Sequence, residues 1–343
     1  MPDPRITIVL PHRNQAGFLA ERFESILRQT IGDWEVVVVD GESSDGGWEV
    51  IQGWVARDRR IRAMQAPARG PYEAWNRGIA EARGEFVYIA TADDTMRPDF
   101  LEKMVGVLDR QRECGMAQCG VEIIDAEGKP VTGEGSWREQ PVQKFYLGKL
   151  LDVSHVRLAP HDGFLHAATG TVYTSITQLL IRRGVFERVG MFRVDSGSIA
   201  DFEWGMRASL LVSTVYWPEM LAMWRRHPAQ ATSDARNATA ANRREMAALV
   251  ERAVVTACEI DPGLREHVVG RRLARLFRHQ AWLFERQERE SCFIPFLQWL
   301  REPDLIGIDL QNRFLWKNRF HRLYLDLIRR EMAAQGIALP RGM

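Results

Sequence analysis

Over the first hundred residues, short β-branched runs alternate with segments whose apolar residues recur at helical spacing, and no other feature constrains the fold as much. Ile6-Thr-Ile-Val-Leu10 and Glu35-Val-Val-Val-Val-Asp40 are near-continuous apolar runs ending in polar residues, as strands buried on both faces of a parallel sheet do. Between them Phe18, Leu19, Phe23, Ile26 and Leu27 fall at helical spacing. The pattern repeats: a helix over about 45–57, a strand near 61–65, a helix over 72–82 ended by Gly84, and a strand over 86–91. Strands alternating with helices predict an α/β fold with a mainly parallel central sheet and helices on both faces. A further strand runs from Met116 to about Asp125, and 128–140 reads as a turn-rich connection. The expected organisation is a first half over 1–125, a second half of the same fold over 126–234, and an arginine-rich helical extension over 235–343.

In open sheets of this kind ligands sit outside the carboxyl ends of the strands. Three polar clusters fall there: Pro11-His12-Arg13-Asn14, then Asp40-Gly41-Glu42-Ser43-Ser44-Asp45-Gly46, and Ala92-Asp93-Asp94. Any one loop is polar on its own account, so it is their coincidence at one edge that points to a site. Two adjacent acids repel unless a cation is near, and Mg²⁺ or Mn²⁺ needs only one or two protein carboxylates when a diphosphate completes its shell. The plainer reading of that pair is an N-cap for the helix that Pro98 and Asp99 open. Asp40 can accept from a base N–H or a ribose hydroxyl while Gly41 lets a ligand approach the backbone; its plainer reading is a turn shared with Ser43, Ser44 and Asp45. No Gly-x-Gly-x-x-Gly follows the first strand and no Walker pattern occurs, which disfavours a dinucleotide cofactor and a P-loop ATPase.

Composition narrows the class. With 343 residues, 45% of them hydrophobic, the chain can bury a large core without disulfides or structural metals. Its 46 basic and 45 acidic side chains leave a formal +1, too even for a nucleic-acid binder. That balance is an average: residues 1–234 hold 27 basic and 32 acidic groups (27−32 = −5), and 235–343 hold 19 and 13 (19−13 = +6). Cys114, Cys119, Cys258 and Cys292 are scattered and show no metal-ligand spacing, which suits a reducing compartment. The N-terminal apolar run is too short for a signal peptide and no run approaches a membrane span, so the expectation is a cytoplasmic protein with any membrane contact peripheral, at the inner face.

At this point the residues resemble a known family, the inverting family 2 glycosyltransferases with a GT-A fold. The resemblance lies in 6–14, in Val36-Val-Val-Val-Asp-Gly-Glu-Ser-Ser-Asp45, and above all in Gly70-Pro-Tyr-Glu-Ala-Trp-Asn76-Arg-Gly-Ile-Ala-Glu-Ala-Arg-Gly84, with Phe86-Val-Tyr-Ile-Ala-Thr-Ala-Asp-Asp94 after it. It implies a nucleotide-sugar donor, most often a UDP-sugar, lying across those strand ends and bound by Pro11, His12, Arg13, Asn14, Asp40, Gly41, Glu42, Ser43, Gly70, Asn76, Ala92, Asp93 and Asp94. Asp40 matches the acid that reads the base, Asp93 the ribose ligand and Asp94 the ligand of a Mn²⁺ or Mg²⁺ ion. Thr91 departs from the acid the family often has at the first position of its Asp-x-Asp. Later, Arg183-Gly-Val-Phe-Glu-Arg-Val-Gly-Met-Phe192 and Ile199-Ala-Asp-Phe-Glu-Trp-Gly-Met-Arg207 are similar to the family's second region, where Asp201 takes the place of the general base and Ala200 replaces a frequent Glu. Displacing a nucleoside diphosphate in one inverting step needs such a carboxylate to take the acceptor hydroxyl's proton and a cation on the leaving group. Without the resemblance Asp201 reads as an N-cap. Trp224-Arg225-Arg226-His227 resembles the Arg-x-His stretch that closes over the diphosphate, which makes His227 a second metal-ligand candidate. His155, His161 and His166 fall on the acceptor side with no role beyond lining.

The implied function is sugar transfer to a saccharide or lipid-linked acceptor in surface polysaccharide or glycoconjugate synthesis. A donor-binding scaffold that lost turnover, kept open by Thr91 and Ala200, is an alternative. A sugar nucleotidyltransferase fits less well, because Pro11-His-Arg-Asn-Gln-Ala-Gly17 is not a glycine-rich basic loop. In the extension, Leu273, Leu276, Phe277 and Phe284 form a stripe beside Arg271, Arg272, Arg275 and Arg278. Trp316, Phe320, Leu323, Tyr324 and Leu327 form another beside Arg319, Arg322, Arg329 and Arg330. Core packing with a solvated arginine face, docking on anionic lipid, and a homodimer through these helices all fit that pattern.

Overall fold

The computed structural model describes residues 3–67, 69–169, 172–228, 230, 240–269 and 321–342. The first part runs β1 (Ile6–His12), α1 (Ala16–Leu27), β2 (Trp34–Asp40), α2 (Gly47–Arg57), β3 (Ile61–Gln65), α3 (Pro71–Ala80), β4 (Phe86–Ile89), β5 (Thr95–Met96), α4 (Phe100–Arg110) and β6 (Cys114–Ile124). Then come β7 (His155–Arg157), α5 (His161–Thr169), β8 (Leu179–Arg182), α6 (Arg183–Val189), α7 (Ala200–Leu211) and β9 (Ser213–Arg225). The described parts of the extension are α8 (Ala240–Ile260), α9 (Leu264–Val269), α10 (His321–Ala334) and β10 (Arg341–Gly342).

All ten strands join one sheet in the order β10-β7-β9-β6-β8-β4-β1-β2-β3, with β5 added against β9. The parallel block is β3-β2-β1-β4, in register from Ile6↔Trp34 to His12↔Asp40. β8 enters antiparallel between β4 and β6, while β6 and β9 pair in parallel. The alternating pattern therefore governs the first hundred residues, and beyond them the sheet is mixed. β1 and β2 are buried along their whole length, which is why their sequences are apolar rather than alternating. The stripe Leu19, Phe23 and Ile26 of α1 is fully buried, each side chain contributing on the order of 1.5–3 kcal/mol on leaving water.

Because β1, β2, β3 and β4 run in parallel, His12, Asp40, Gln65 and the 90–94 turn all emerge at one edge. The second half comes to that edge through β9. Arg225 ends β9 and sends its guanidinium back to the carbonyls of Asp93 (2.8 Å) and Ala126 (3.1 Å) and to Glu21 (2.7 Å).

The described extension packs on the second half. Leu249, Val250, Ala253 and Ala257 of α8 are buried, and Thr256 accepts from Arg193 at 3.1 Å. Leu325, Ile328 and Met332 of α10 are buried, and Arg329 donates to the Tyr146 carbonyl at 2.7 Å with its guanidinium 4.6 Å from that ring. Arg329 is thus spent inside the protein, whereas Arg322 and Arg330 are exposed. The stripe at 273–284, with its four arginines, and Trp316, Arg319 and Phe320 lie outside the described residues. No helix among the described residues is long and apolar enough to cross a membrane.

Candidate active site

Asp40 is fully buried at the end of β2, and donors surround both of its oxygens. Oδ1 accepts from the Ser43 hydroxyl (2.6 Å) and lies 2.8 Å from His12 Nδ1; Oδ2 accepts from Gln65 Nε2 (3.0 Å) and the Ser43 amide (3.1 Å). The Gln15 amide donates to His12 Nε2 at 3.3 Å, so the proton of the neutral ring belongs on Nδ1, pointing at Asp40. Burial alone would raise the Asp40 pKa, yet the hydrogen bonds from Gln65, Ser43 and His12 hold it below the usual carboxylate value. α2 starts with a glycine because a Cβ on Gly47 would come within 2.2 Å of the His12 ring. Around this centre the Gly41 amide donates to the His12 carbonyl (2.8 Å), and Asn14, at positive φ, accepts from the Ser44 amide through its side chain (2.9 Å). Glu42 also sits at positive φ, and Arg13 and Asn14 are exposed at the rim while Pro11 is buried in β1. The residues expected to hold a nucleoside thus form one connected edge, with Asp40 as its buried keystone.

The acidic pair divides its labour. Asp94 is buried, accepts from the Arg225 amide (2.9 Å) and from Thr91 Oγ1 (2.5 Å), and is pushed up to about 7 by burial and by the neighbouring Asp93. Thr91, where the family often has an acid, is the donor that holds it. Asp93 is the acid that faces outward: its Oδ2 is 3.0 Å from His227 Nε2 and accepts from Gln15 Nε2 at 3.4 Å. Expectation put the cation on Asp94 and His227, but both Asp94 oxygens are engaged by the protein and the carboxylate brought to His227 is Asp93. Ala92 is buried beneath the turn. Among the described residues no cluster of three or more His, Cys, Asp or Glu could hold a metal alone. Asp93 and His227 lie 3.0 Å apart and could supply two ligands to a divalent cation if phosphate oxygens and water filled its remaining positions.

Asp201 stands at the start of α7. Its Oδ1 accepts from the Tyr72 hydroxyl and from the Phe202 amide, both at 2.9 Å, while Oδ2 accepts no hydrogen bond among the described residues. Burial pushes its pKa above the ordinary carboxylate value, partly offset by the Tyr72 bond. The N-cap reading does not hold: α7 begins at Ala200 with Ile199 as its N-cap, and Asp201 lies inside the first turn, accepting from the next amide. The glycine-bounded segment 70–84 positions it. Pro71 opens α3 directly after Gly70, which places Tyr72, and Asn76 makes two bonds to the Phe192 backbone (2.7 and 3.0 Å) that tie α3 to the approach to α7. Gly70 and Asn76, expected to bind donor, thus have local structural work between α3 and the second half. Sequence reasoning missed Tyr72 and Gln65, which lay unremarked within or beside the quoted motifs. From α7 the Arg207 guanidinium holds Glu203 (2.9 Å) and the Met191 carbonyl (2.9 Å).

A cavity of about 150 Å³ adjoins Asp201. A larger cleft of about 510 Å³, lined by Arg112, Arg183 and Arg188, opens at the opposite ends of β4, β6 and β9 and touches none of these groups.

The profile of the family described as "Glycosyl transferase family 2" matches residues 7–164, which carry the Asp40, Asp93 and Tyr72 side of this site. Among curated relatives, the chain is 24% identical over 190 residues to the uncharacterized glycosyltransferase EpsJ of Bacillus subtilis (strain 168), covering 55% of this chain and 51% of that protein. It is 26% identical over 129 residues to the putative teichuronic acid biosynthesis glycosyltransferase TuaG of the same organism, covering 37% and 51%. The chain spans about half the length of these curated relatives. Among solved structures, S. aureus TarS 1–349 in complex with UDP-GlcNAc superposes with a TM-score of 0.56 at 13% identity over 92% of each chain. The mannosyltransferase PcManGT from Pyrobaculum calidifontis, in complex with GDP-Man and Mn²⁺, gives 0.51 at 17% identity over 97% of this chain and 87% of that one. At such identities the likeness establishes the fold, which is GT-A-like, and residues 7–164 carry a glycosyltransferase family 2 domain.

Proposed function

We propose that the chain transfers a sugar, with inversion, from a nucleoside diphosphate sugar to an acceptor hydroxyl in surface polysaccharide or glycoconjugate synthesis. The observation that carries this reading is Asp201: a half-buried carboxylate oriented through one oxygen by Tyr72 and the Phe202 amide, with no hydrogen bond to the other oxygen among the described residues. That is the arrangement a general base needs, geometry fixed and proton affinity raised toward the working pH. The nucleoside end of the donor lies along the Asn14, Gly41 and Ser43 edge, shaped from below by the ionised Asp40. Asp93 and His227 would hold a Mn²⁺ or Mg²⁺ ion beside the diphosphate, where such a cation supplies neutralisation of the leaving group's charge. Asp201 takes the acceptor proton, and Tyr72 keeps the carboxylate in place as charge develops. UDP-sugars are the first donors to examine, with GDP-sugars second, since the two structural neighbours hold one of each.

The test is release of nucleoside diphosphate when the full chain is incubated with UDP- and GDP-sugars and Mn²⁺. Slow donor hydrolysis is expected without acceptor, lost on chelation and lost in Asp93→Ala. Tight donor binding with no turnover under any metal would leave a binding scaffold instead.

A further inference from the structure

The cavity beside Asp201 is more selective than a gap in packing. Its lining includes His166 on α5, Tyr173, Thr174 and Ser175 on the following segment, and Phe202 next to the proposed base. Its volume of about 150 Å³ exceeds that of one or two waters, at ~30 Å³ each, and is of the order of one small polar ring. The notable member is His166, 1% exposed, whose two ring nitrogens have no hydrogen-bond partner among the described residues. A neutral imidazole carries one donor and one acceptor, and burying both unmatched costs stability.

The seat is nevertheless built for that ring. Phe202 and Tyr173 meet it edge-on, at 4.7 Å and 77° and at 6.1 Å and 82°. Gly205 faces it from α7, where a Cβ would come within 3.1 Å of His166 Cε1. α5 itself is pinned by a buried ion pair, Arg157 Nε to Asp162 at 2.8 and 2.9 Å. A helix, two aromatic walls and a space-making glycine hold a donor and an acceptor, unpartnered among the described residues, beside a carboxylate oxygen that accepts no hydrogen bond from them.

Resting on the transferase reading above, we infer that this cavity is a subsite for a neutral, hydroxyl-bearing group of the acceptor, with His166 as its hydrogen-bond partner. Neutrality follows from the charges present. None of the lining residues is a lysine or arginine, so a carboxylate or phosphate would enter with no countercharge and would meet Asp201. An ammonium would pair with Asp201 and occupy the oxygen that has to take the proton. A hydroxyl can both give and accept, matching the imidazole, and burial keeps His166 uncharged by pulling its pKa down to about 3. His166 is then a specificity residue: it reads the hydroxyl pattern next to the reacting one, and the reaction itself stays with Asp201.

The experiment uses the full chain labelled with ¹⁵N-histidine, saturated with UDP or GDP and diamagnetic Mg²⁺. The His166 ring signals, assigned by their loss in His166→Gln, are followed while neutral p-nitrophenyl glycosides, the matching uronic acids and sugar phosphates are added. Neutral glycosides are expected to move these signals, and acidic sugars to leave them still. His166→Phe should weaken the neutral probes about tenfold, the worth of one hydrogen bond, with nucleotide binding unchanged, while His166→Gln retains most of the affinity. Unmoved His166 signals at the solubility limit of every neutral probe, or a preference for the acidic sugars, would overturn the subsite; so would equal binding in His166→Phe. Donor turnover, measured on the same protein preparation with UDP- and GDP-sugars supplied and no added UDP or GDP, separates the two readings. Turnover without any neutral probe at His166 sinks the subsite alone, and absence of turnover sinks the transferase reading itself.

Discussion

Two carboxylates, the buried Asp40 in the first half of the molecule and the half-buried Asp201 in the second, have been given opposite proton affinities. Asp40 in the first half faces only donors, His12 and Ser43 on one oxygen and Gln65 and the Ser43 amide on the other, and its pKa is held down. Asp201 in the second half has donors on one oxygen only, and burial wins, holding its pKa up. Desolvation is the largest influence on both, so the number of donors decides which way each acid goes. The first acid is locked into its charge and shapes the donor edge. The second is left able to exchange a proton.

The same substitution should therefore act in opposite ways at the two sites. Asp201→Asn keeps the Tyr72 and Phe202 contacts through the amide oxygen and removes the proposed base. Transfer should fall on the order of 10²-fold or more while nucleotide binding, read by calorimetry, stays within a few-fold. A folded-state pKa raised above the unfolded one means that ionised Asp201 costs stability at neutral pH, and that the cost disappears as pH falls through the folded value. The melting temperature of Asp201→Asn should accordingly hold or rise at neutral pH. A variant that loses nucleotide binding along with transfer would remove Asp201 from the role of base.

Asp40→Asn should do the reverse. Every position around the carboxylate presents a donor, so the amide NH₂ must oppose one, at a cost of about 1–3 kcal/mol. Because the folded pKa of Asp40 is lowered, its contribution is present above the unfolded pKa and lost as pH falls through the folded value. Denaturant unfolding at neutral pH and again near pH 3 should show the gap between wild type and Asp40→Asn closing in acid. Equal melting temperatures for the two Asn variants would break the comparison.

How far this was legible in the sequence follows the same division. The apolar runs at 6–10 and 36–39 allow only buried parallel strands, and once these are placed the polar residues after them must share an edge; the positions of Asp40, His12 and the 92–94 turn follow from that. The resemblance assigns Asp93 to the ribose and Asp94 to the metal, but nothing local in the sequence says which of two adjacent acids faces out. Which one faces out is set by Arg225, 131 residues further along the chain. Asp201 was found only through resemblance, since a lone acid before a helix reads equally as a cap. Tyr72, its orienting partner 129 residues away, carries no local signal of that contact. The mixed strand order beyond β4 was hidden for the same reason, as β6, β8 and β9 are paired across long connections.

The finest test of the comparison changes the donor count at Asp201 without touching the acid. Tyr72→Phe removes the hydroxyl that donates at 2.9 Å and leaves the ring, which stacks on Phe192 and meets Trp75 edge-on, in place. With one donor fewer, burial has less opposing it, so the Asp201 pKa should rise further. The base works only when ionised, and activity therefore falls as pH drops through that pKa. In Tyr72→Phe the acid limb of the kcat profile should move to higher pH, and the rate at neutral pH should drop a few-fold while the alkaline plateau is largely kept. A uniform loss at every pH would mean that Tyr72 only packs, whereas a shift to lower pH would contradict the account of donor count by its sign.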